Sequence, residues 1–137
     1  MNILFLCVAN SARSQMAEGV ARQLLGDKFK IFSAGSKPSI VNPIAIQVMK
    51  EIGIDISHQR SKSVEEINPD EIDWVVTLCA EEVCPLYPSR AKIIHWPFPD
   101  PAHSSGSEVE QLQRFRMVRD EIKNKIQTFI LFFASSS

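Results

Sequence analysis

Four short apolar runs, separated by polar loops and helical stretches, restrict the fold of this chain more than any other feature. They are "NILFLC" (2–7), "FKIFSAG" (29–35), "DWVVTLC" (73–79) and "AKIIHW" (91–96). Runs of this length, rich in Ile, Val and Phe and closed by turn residues, read as strands buried in a sheet. The stretches between them carry a different period. Met16, Val20, Leu24 and Leu25 recur at helical spacing, and Gly26 is a stop signal. Asn42 and Pro43 form a cap and first helical residue, Ile46, Val48, Met49 and Ile52 supply an apolar face, and Gly53 closes it. Ser63 and Glu66 have capping-box spacing, which predicts a short helix in "SVEEI". Leu112, Phe115, Val118, Ile122, Ile126, Phe129 and Phe133 advance in steps of three and four along one face of a long last helix. Strands alternating with helices predict an α/β fold, a parallel sheet covered on both faces with right-handed crossovers. The 137 residues suit one domain over 1–134, with 135–137 as a frayed tail.

Charge and composition exclude several partners. The net charge is -1 and no basic stripe stands out, so nucleic acid is not expected. "MNILFLCVANSAR" has neither a basic n-region nor a small-residue cleavage site, and "FILFFA", the longest apolar run, is far short of a membrane span. A cytoplasmic protein without a membrane partner is expected. The three cysteines, Cys7, Cys79 and Cys84, are an odd count without a histidine cluster. This argues against both a secreted disulfide framework and a zinc site.

Parallel sheets bind ligands at the carboxyl ends of their strands. Cys7 ends the first strand and Cys79 ends the third. The loop after the first strand reads "CVANSARS", and a helix follows. Folded around an anion, the backbone N–H groups of Val8, Ala9, Asn10, Ser11, Ala12, Arg13 and Ser14 converge on one point, backed by the helix dipole. Arg13 adds a planar fork for two oxygens. The same field favours the Cys7 thiolate, which can attack the central atom of a bound oxyanion. Asn10 tolerates the left-handed backbone that a tight cradle needs. The Ser14 hydroxyl can donate to the thiolate, and Ser14 also stands where a helix cap is expected. Taken alone, Cys7 is equally a small buried residue ending a strand. The strand before it and the helix after it favour the nucleophile.

"CVANSARSQMAEG" resembles the phosphate-binding loop of the low-molecular-weight protein tyrosine phosphatase superfamily. It is closer still to the thioredoxin-recycled arsenate reductases of that superfamily. The likeness continues through "SAG", "NPIAIQVMKEIGIDIS", "DWVVTLC", "HWPFPDPA" and "FRMVRDEI", in order and over nearly the whole chain. It implies a single-domain three-layer sandwich with a four-stranded parallel sheet, and an arsenate or phosphate oxyanion as ligand. It makes Asp100, otherwise a turn aspartate, the general acid. His95, Trp96 and Asp73 are then supports, while His58 and His103 are exposed loop residues without a role.

A hydrolase needs one cysteine, and the resemblance implies a use for three. Cys7 forms the arsenate adduct, Cys79 attacks the Cys7 sulfur as arsenite leaves, and Cys84 then takes over to leave Cys79–Cys84. These are ordinary thiol–disulfide exchanges. The full set implies thioredoxin as electron donor, with glutaredoxin and glutathione as the alternative, no cofactor, and a monomer. The four-residue spacer between Cys79 and Cys84 must move for the exchange. Asn10, Glu18 and Ser33 match three ligands of the potassium ion that relatives often hold, but Lys62 stands at the place of the fourth, an aspartate. No metal and no potassium dependence are therefore expected. Ala12 replaces a further cysteine of many relatives without expected loss. The rival is a phosphatase that uses Cys7, Arg13 and Asp100 alone. "DPA" lacks the aromatic pair that often follows the acid in that branch, and the single tyrosine, Tyr87, lies outside that motif.

Overall fold

The strand that carries Cys7 lies inside the sheet, between two parallel neighbours. The computed structural model describes residues 1–80, 90–102 and 106–136. Its strands are β1 (Asn2–Cys7), β2 (Lys30–Gly35), β3 (Trp74–Thr77) and β4 (Lys92–His95), all parallel in the order β2-β1-β3-β4. Leu6 pairs with Ala34 on one side and with Thr77 on the other. The ends Cys7, Gly35, Thr77 and His95 therefore share one edge of the sheet. The turn in strand order beside β1 makes that edge a ligand site by topology.

Alternation along β1 divides the core. Ile3, Phe5 and Cys7 join a cluster built with the helices α1 (Arg13–Leu25), α2 (Pro43–Lys50) and α3 (Glu108–Ser136). Leu4 and Leu6 point to the other face, with Ala34, Ile72 and Val75. That face is covered by two 3-10 turns, Val64–Glu66 and Pro69–Glu71, whose neighbourhood supplies Val64 and Ile67. Ile3, Leu4 and Leu6 are completely buried. Each contributes roughly 1.5–3 kcal/mol of transfer free energy, an upper bound against a compact unfolded chain. Gly19 lets α1 approach its neighbours, because a Cβ there would lie 2.6 Å from the Ile56 side chain. Phe115, Val118, Ile122 and Ile126 face inward from α3, and Phe129 meets Trp74 and Trp96 edge-on.

Local signals hold where the chain is punctuated. The Asn42 side chain accepts from the Ile44 N–H at 2.8 Å, with Pro43 as the first residue of α2. Ser63 and Glu66 form the expected capping box, on a 3-10 turn. Gly26 and Gly53 take the positive φ that ends α1 and the turn after α2.

Three expectations differ. β4 is an edge strand with Lys92, Ile93 and His95 exposed, because β3 covers only one of its sides. Ser14 does not cap α1: the helix begins at Arg13 behind Ala12 without a side-chain cap, and the Ser14 hydroxyl is engaged by Asn10 and Cys7. The last helix runs to Ser136, past the start of the expected tail. Cys84, Tyr87 and His103 lie outside the described residues. Among the described residues no helix is long and apolar enough to cross a membrane.

Candidate active site

β1 delivers Cys7 to the sheet edge, and after five intervening residues α1 begins at Arg13. The intervening loop is held from outside. Its carbonyls at Val8, Ala9 and Ser11 accept from the N–H groups of Lys37, Ser39 and Asn42 at 2.9, 3.2 and 2.9 Å. The Ser61 hydroxyl also donates to Ala9 O at 3.0 Å. A trans peptide sets its N–H opposite its carbonyl. The N–H groups of Ala9, Asn10 and Ala12 therefore point away from the 37–42 segment. Asn10 N–H indeed donates to Cys7 Sγ at 3.3 Å. Asn10 has φ 48°, the left-handed backbone expected of it. Gly35 is required here by close approach: a Cβ would lie 2.3 Å from Val8 O.

The sulfur has a second polar neighbour, Ser14 Oγ at 2.9 Å. Cys7 is a free thiol and only 2% exposed. With Ala9, Ser11, Ala12, Arg13, Ser39, Asp100 and Ala102 it lines a cavity of about 130 Å³. This space suits a small tetrahedral oxyanion against the helix N-terminus, within reach of the sulfur.

Arg13 is buried and lines that cavity, but its Nη1 donates to Phe98 O at 3.0 Å and Leu78 O at 3.3 Å. It thereby ties the chain beyond β3 to the chain beyond β4. Its Nη2 lies 3.9 Å from Asp100 Oδ2. Asp100 combines two expectations. Its Oδ1 accepts from the Ala102 N–H at 3.0 Å, as a turn aspartate does, and its carboxylate also lines the cavity. Its side chain is 32% exposed. A carboxylic acid at that rim can give a proton to an oxygen leaving a bound anion.

Cys79 lies two residues beyond β3. Leu78 N–H donates to Leu6 O at 2.9 Å, so this segment runs directly beside the end of β1. Cys79 is buried and disulfide-bonded, in contrast to Cys7. Cys84 is outside the described residues.

The supporting residues fall where expected. Asp73 accepts from the main-chain N–H of Asn2 at 2.7 Å. The His95 ring meets the Thr77 hydroxyl at 2.7 Å, and Trp96 packs near Phe5. His58 is exposed. Lys62 places its ammonium 3.5 Å from Glu18 Oε1, 3.4 Å from Ser33 Oγ and 2.6 Å from Arg60 O. Burial pushes the Lys62 ammonium below the usual lysine range, against the attraction of Glu18. Arg22 also pairs with Glu18, at 2.9 Å. Protein cations therefore lie against Glu18 and Ser33, two of the three residues that match a potassium site, while Asn10 Oδ1 accepts from the Lys62 main-chain N–H. Sequence reasoning missed Ser39 and Ser61, whose contacts depend on chain folding back from far away. It also missed Gln15 and Gln59, although a glutamine on the inward face of α1 was a visible sign of a buried polar network.

The family model described as low molecular weight phosphotyrosine protein phosphatase matches residues 2–135. The chain belongs to that family. Within it, the chain is similar to an arsenate reductase of Halalkalibacterium halodurans, 50% identical over 129 residues and 93% of each chain. A solved structure described as an arsenate reductase in the phosphate binding state superposes with TM-score 0.81 at 37% identity, over 95% of this chain and 96% of that one. A thioredoxin-dependent arsenate reductase of Corynebacterium glutamicum gives TM-score 0.74 at 25% identity, over 99% of this chain and 63% of that one.

Proposed function

We propose that this protein is an arsenate reductase working through a thiol–disulfide cascade. The observation that carries the reading is the contrast between two neighbouring cysteines. Cys7 is a free thiol in an anion cradle, and Cys79, beyond the end of the adjoining strand, is already in a disulfide.

In the first step arsenate sits against the N–H groups of the 8–14 loop, with Arg13 as cation. The Cys7 thiolate attacks arsenic, and Asp100 protonates the departing oxygen, which leaves as water. In the second step the Cys79 thiolate attacks the Cys7 sulfur. The Cys7–arsenic bond breaks, its electron pair stays on arsenic, and arsenite departs. Arsenic has gained two electrons and the two sulfurs have lost two, as a Cys7–Cys79 disulfide. In the third step Cys84 attacks Cys79 and frees Cys7. An external dithiol then reduces the Cys79–Cys84 pair. We assign that role to thioredoxin, in line with the similarity to a thioredoxin-dependent relative. The enzyme acts as a cytosolic monomer and, with Lys62 beside Glu18, without potassium. A rise in activity on adding potassium, beyond an ionic-strength control, would contradict this last point.

The deciding assay supplies arsenate with thioredoxin and its reductase, or with glutaredoxin and glutathione. Arsenate-dependent turnover with the first system is expected. Turnover with neither, alongside brisk hydrolysis of an aryl phosphate, would make the protein a phosphatase. A weak phosphatase activity fits the reductase, since Cys7, Arg13 and Asp100 serve both first steps.

A further inference from the structure

Hydrogen bonds behind the nucleophile run in one direction, and main-chain groups fix that direction. Lys62 N–H donates to Asn10 Oδ1 at 2.8 Å, and a main-chain N–H can only donate. The Asn10 amide nitrogen is thereby left to donate to Ser14 Oγ, at 2.7 Å. With its oxygen accepting from Asn10, Ser14 has its own hydrogen to give to Cys7 Sγ.

Two glutamines continue the chain outward. Gln15 is completely buried, and its Nε2 faces Asn10 O at 3.1 Å, Asn10 Oδ1 at 2.9 Å and Arg60 O at 3.0 Å. Two of these are carbonyls that can only accept, so Gln15 must present its nitrogen. Its oxygen, turned the other way, accepts from Gln59 Nε2 at 2.7 Å, which also donates to Gln15 O at 3.1 Å. No buried side-chain polar atom among the described residues lacks a partner.

We infer that Gln15 and Gln59 are positioning residues that direct the Ser14 hydroxyl onto Cys7, so that the sulfur is held as an acceptor, the form the nucleophile needs. The relay passes from Gln59 to Gln15, Asn10, Ser14 and the Cys7 sulfur. Neither glutamine touches the oxyanion cavity. A thiolate can only accept, and Ser14 O–H and Asn10 N–H supply two donors on its protein side. Loss of a donor to a charged acceptor is among the more costly hydrogen-bond losses. The charged groups facing Cys7 across the cavity are Arg13 of α1 and Asp100 beyond β4. The Lys62–Glu18 pair meets the relay through the Lys62 main-chain N–H.

This inference deepens the proposed function by specifying how its nucleophile is held, but its test needs no arsenate. In a Cys79→Ser/Cys84→Ser background Cys7 is the only thiol. The pH dependence of its alkylation by iodoacetamide then reads thiolate formation directly. Gln15→Met should move the midpoint upward by about one pH unit, and Gln59→Glu by about half as much, at the scale of one weakened hydrogen bond to a charged group. Thermal melts establish that each variant is folded. Should Gln15→Met not fold, Gln59→Glu carries the same test. Both shifts should largely vanish when Ser14→Ala is already present, since the relay acts through that hydroxyl. Unmoved midpoints in folded variants would overturn the inference. So would shifts that persist in full in the Ser14→Ala background, which would assign them to charge or general loosening. Failure of arsenate turnover with the alkylation result intact would count against the proposed function alone.

Discussion

The two sides of the Cys7 sulfur are built to different standards. On the protein side Ser14, Asn10 and Gln15 are completely buried and mutually bonded, with Gln15 and Asn10 tied to the main chain of Arg60 and Lys62, and the loop carbonyls of Val8, Ala9 and Ser11 are held by N–H groups of 37–42. On the acid side Asp100 is a third exposed, lies 3.9 Å from Arg13, and accepts the Ala102 N–H of its own turn. The difference teaches where precision is needed. A thiolate must be held before substrate arrives, so its support is rigid. An acid must reach an oxygen that arrives with the substrate, and a turn at the cavity rim permits adjustment. Rigid elements place groups more accurately than loops do.

That comparison can be broken from either side. The largest effect should come from Gly35→Ala. The added Cβ would meet Val8 O and Asn10 N, both main chain, so the cradle must shift. We expect a loss of about 3 kcal/mol of stability, at the upper end of overpacking costs, with activity falling at least as far. Chemical denaturation and an oxyanion-binding titration would check this; an unperturbed protein would show the cradle to be softer than argued. Next comes Asp100→Asn, which leaves Cys7 and its support intact. The reaction with a substrate whose leaving group needs a proton should slow by about 10²-fold, the lower end of the usual share of general acid catalysis. Alkylation of Cys7 should be little changed. Comparable losses in both assays would mean that Asp100 supports the nucleophile as well.

The smallest effect is expected far from both sides. Glu51, after α2, takes a bidentate bond from Arg116 of α3 at 2.9 and 2.7 Å and another from Arg119 at 2.8 Å. The Arg116 hydrogen bonds, with Arg119 adding to them, hold its carboxyl down at about 2, against 4.5 ordinarily. A carboxyl lowered by folding stabilises the native state above its unfolded value and loses that contribution as pH falls from there through its folded value. The stabilisation should therefore fade between about pH 4.5 and pH 2. Glu51 is a third exposed, so solvent screening limits the clamp to about 1 kcal/mol. Glu51→Gln should lose that amount in neutral denaturant melts and only a small part of it near pH 2, while the Cys7 chemistry stays unchanged.

The sequence was most legible where a residue's neighbours in the chain decide its conformation. Asn42 with Pro43, Ser63 with Glu66, Gly26 and Gly53 all act within a few positions, and each does so as read. Asn10 belongs with them, because few side chains accept its backbone. Ser14 shows the limit. Its place before a helical run fits a cap, yet the folded loop brings Asn10 and Cys7 to its hydroxyl, and those partners win. β4 looked as buried as β3 because both are short and apolar, and only strand order reveals an edge. The relay was hidden for a similar reason. Gln15 and Gln59 are 44 positions apart, and no pattern in either segment joins them. Cys7 was readable as a strand-end residue, whereas Cys79, read as the end of the third strand, lies two residues beyond β3, on the segment where Leu78 N–H meets Leu6 O beside the end of β1.

The cascade is the central claim, and a single substitution separates it from hydrolysis. Cys79→Ser leaves Cys7, Arg13, Asp100 and the loop in place. Steady-state arsenate reduction with thioredoxin and hydrolysis of a small aryl phosphate should be measured on the same preparation. The account predicts that arsenate turnover stops while hydrolysis continues at the parent rate. Arsenate turnover at the parent rate in Cys79→Ser would contradict it.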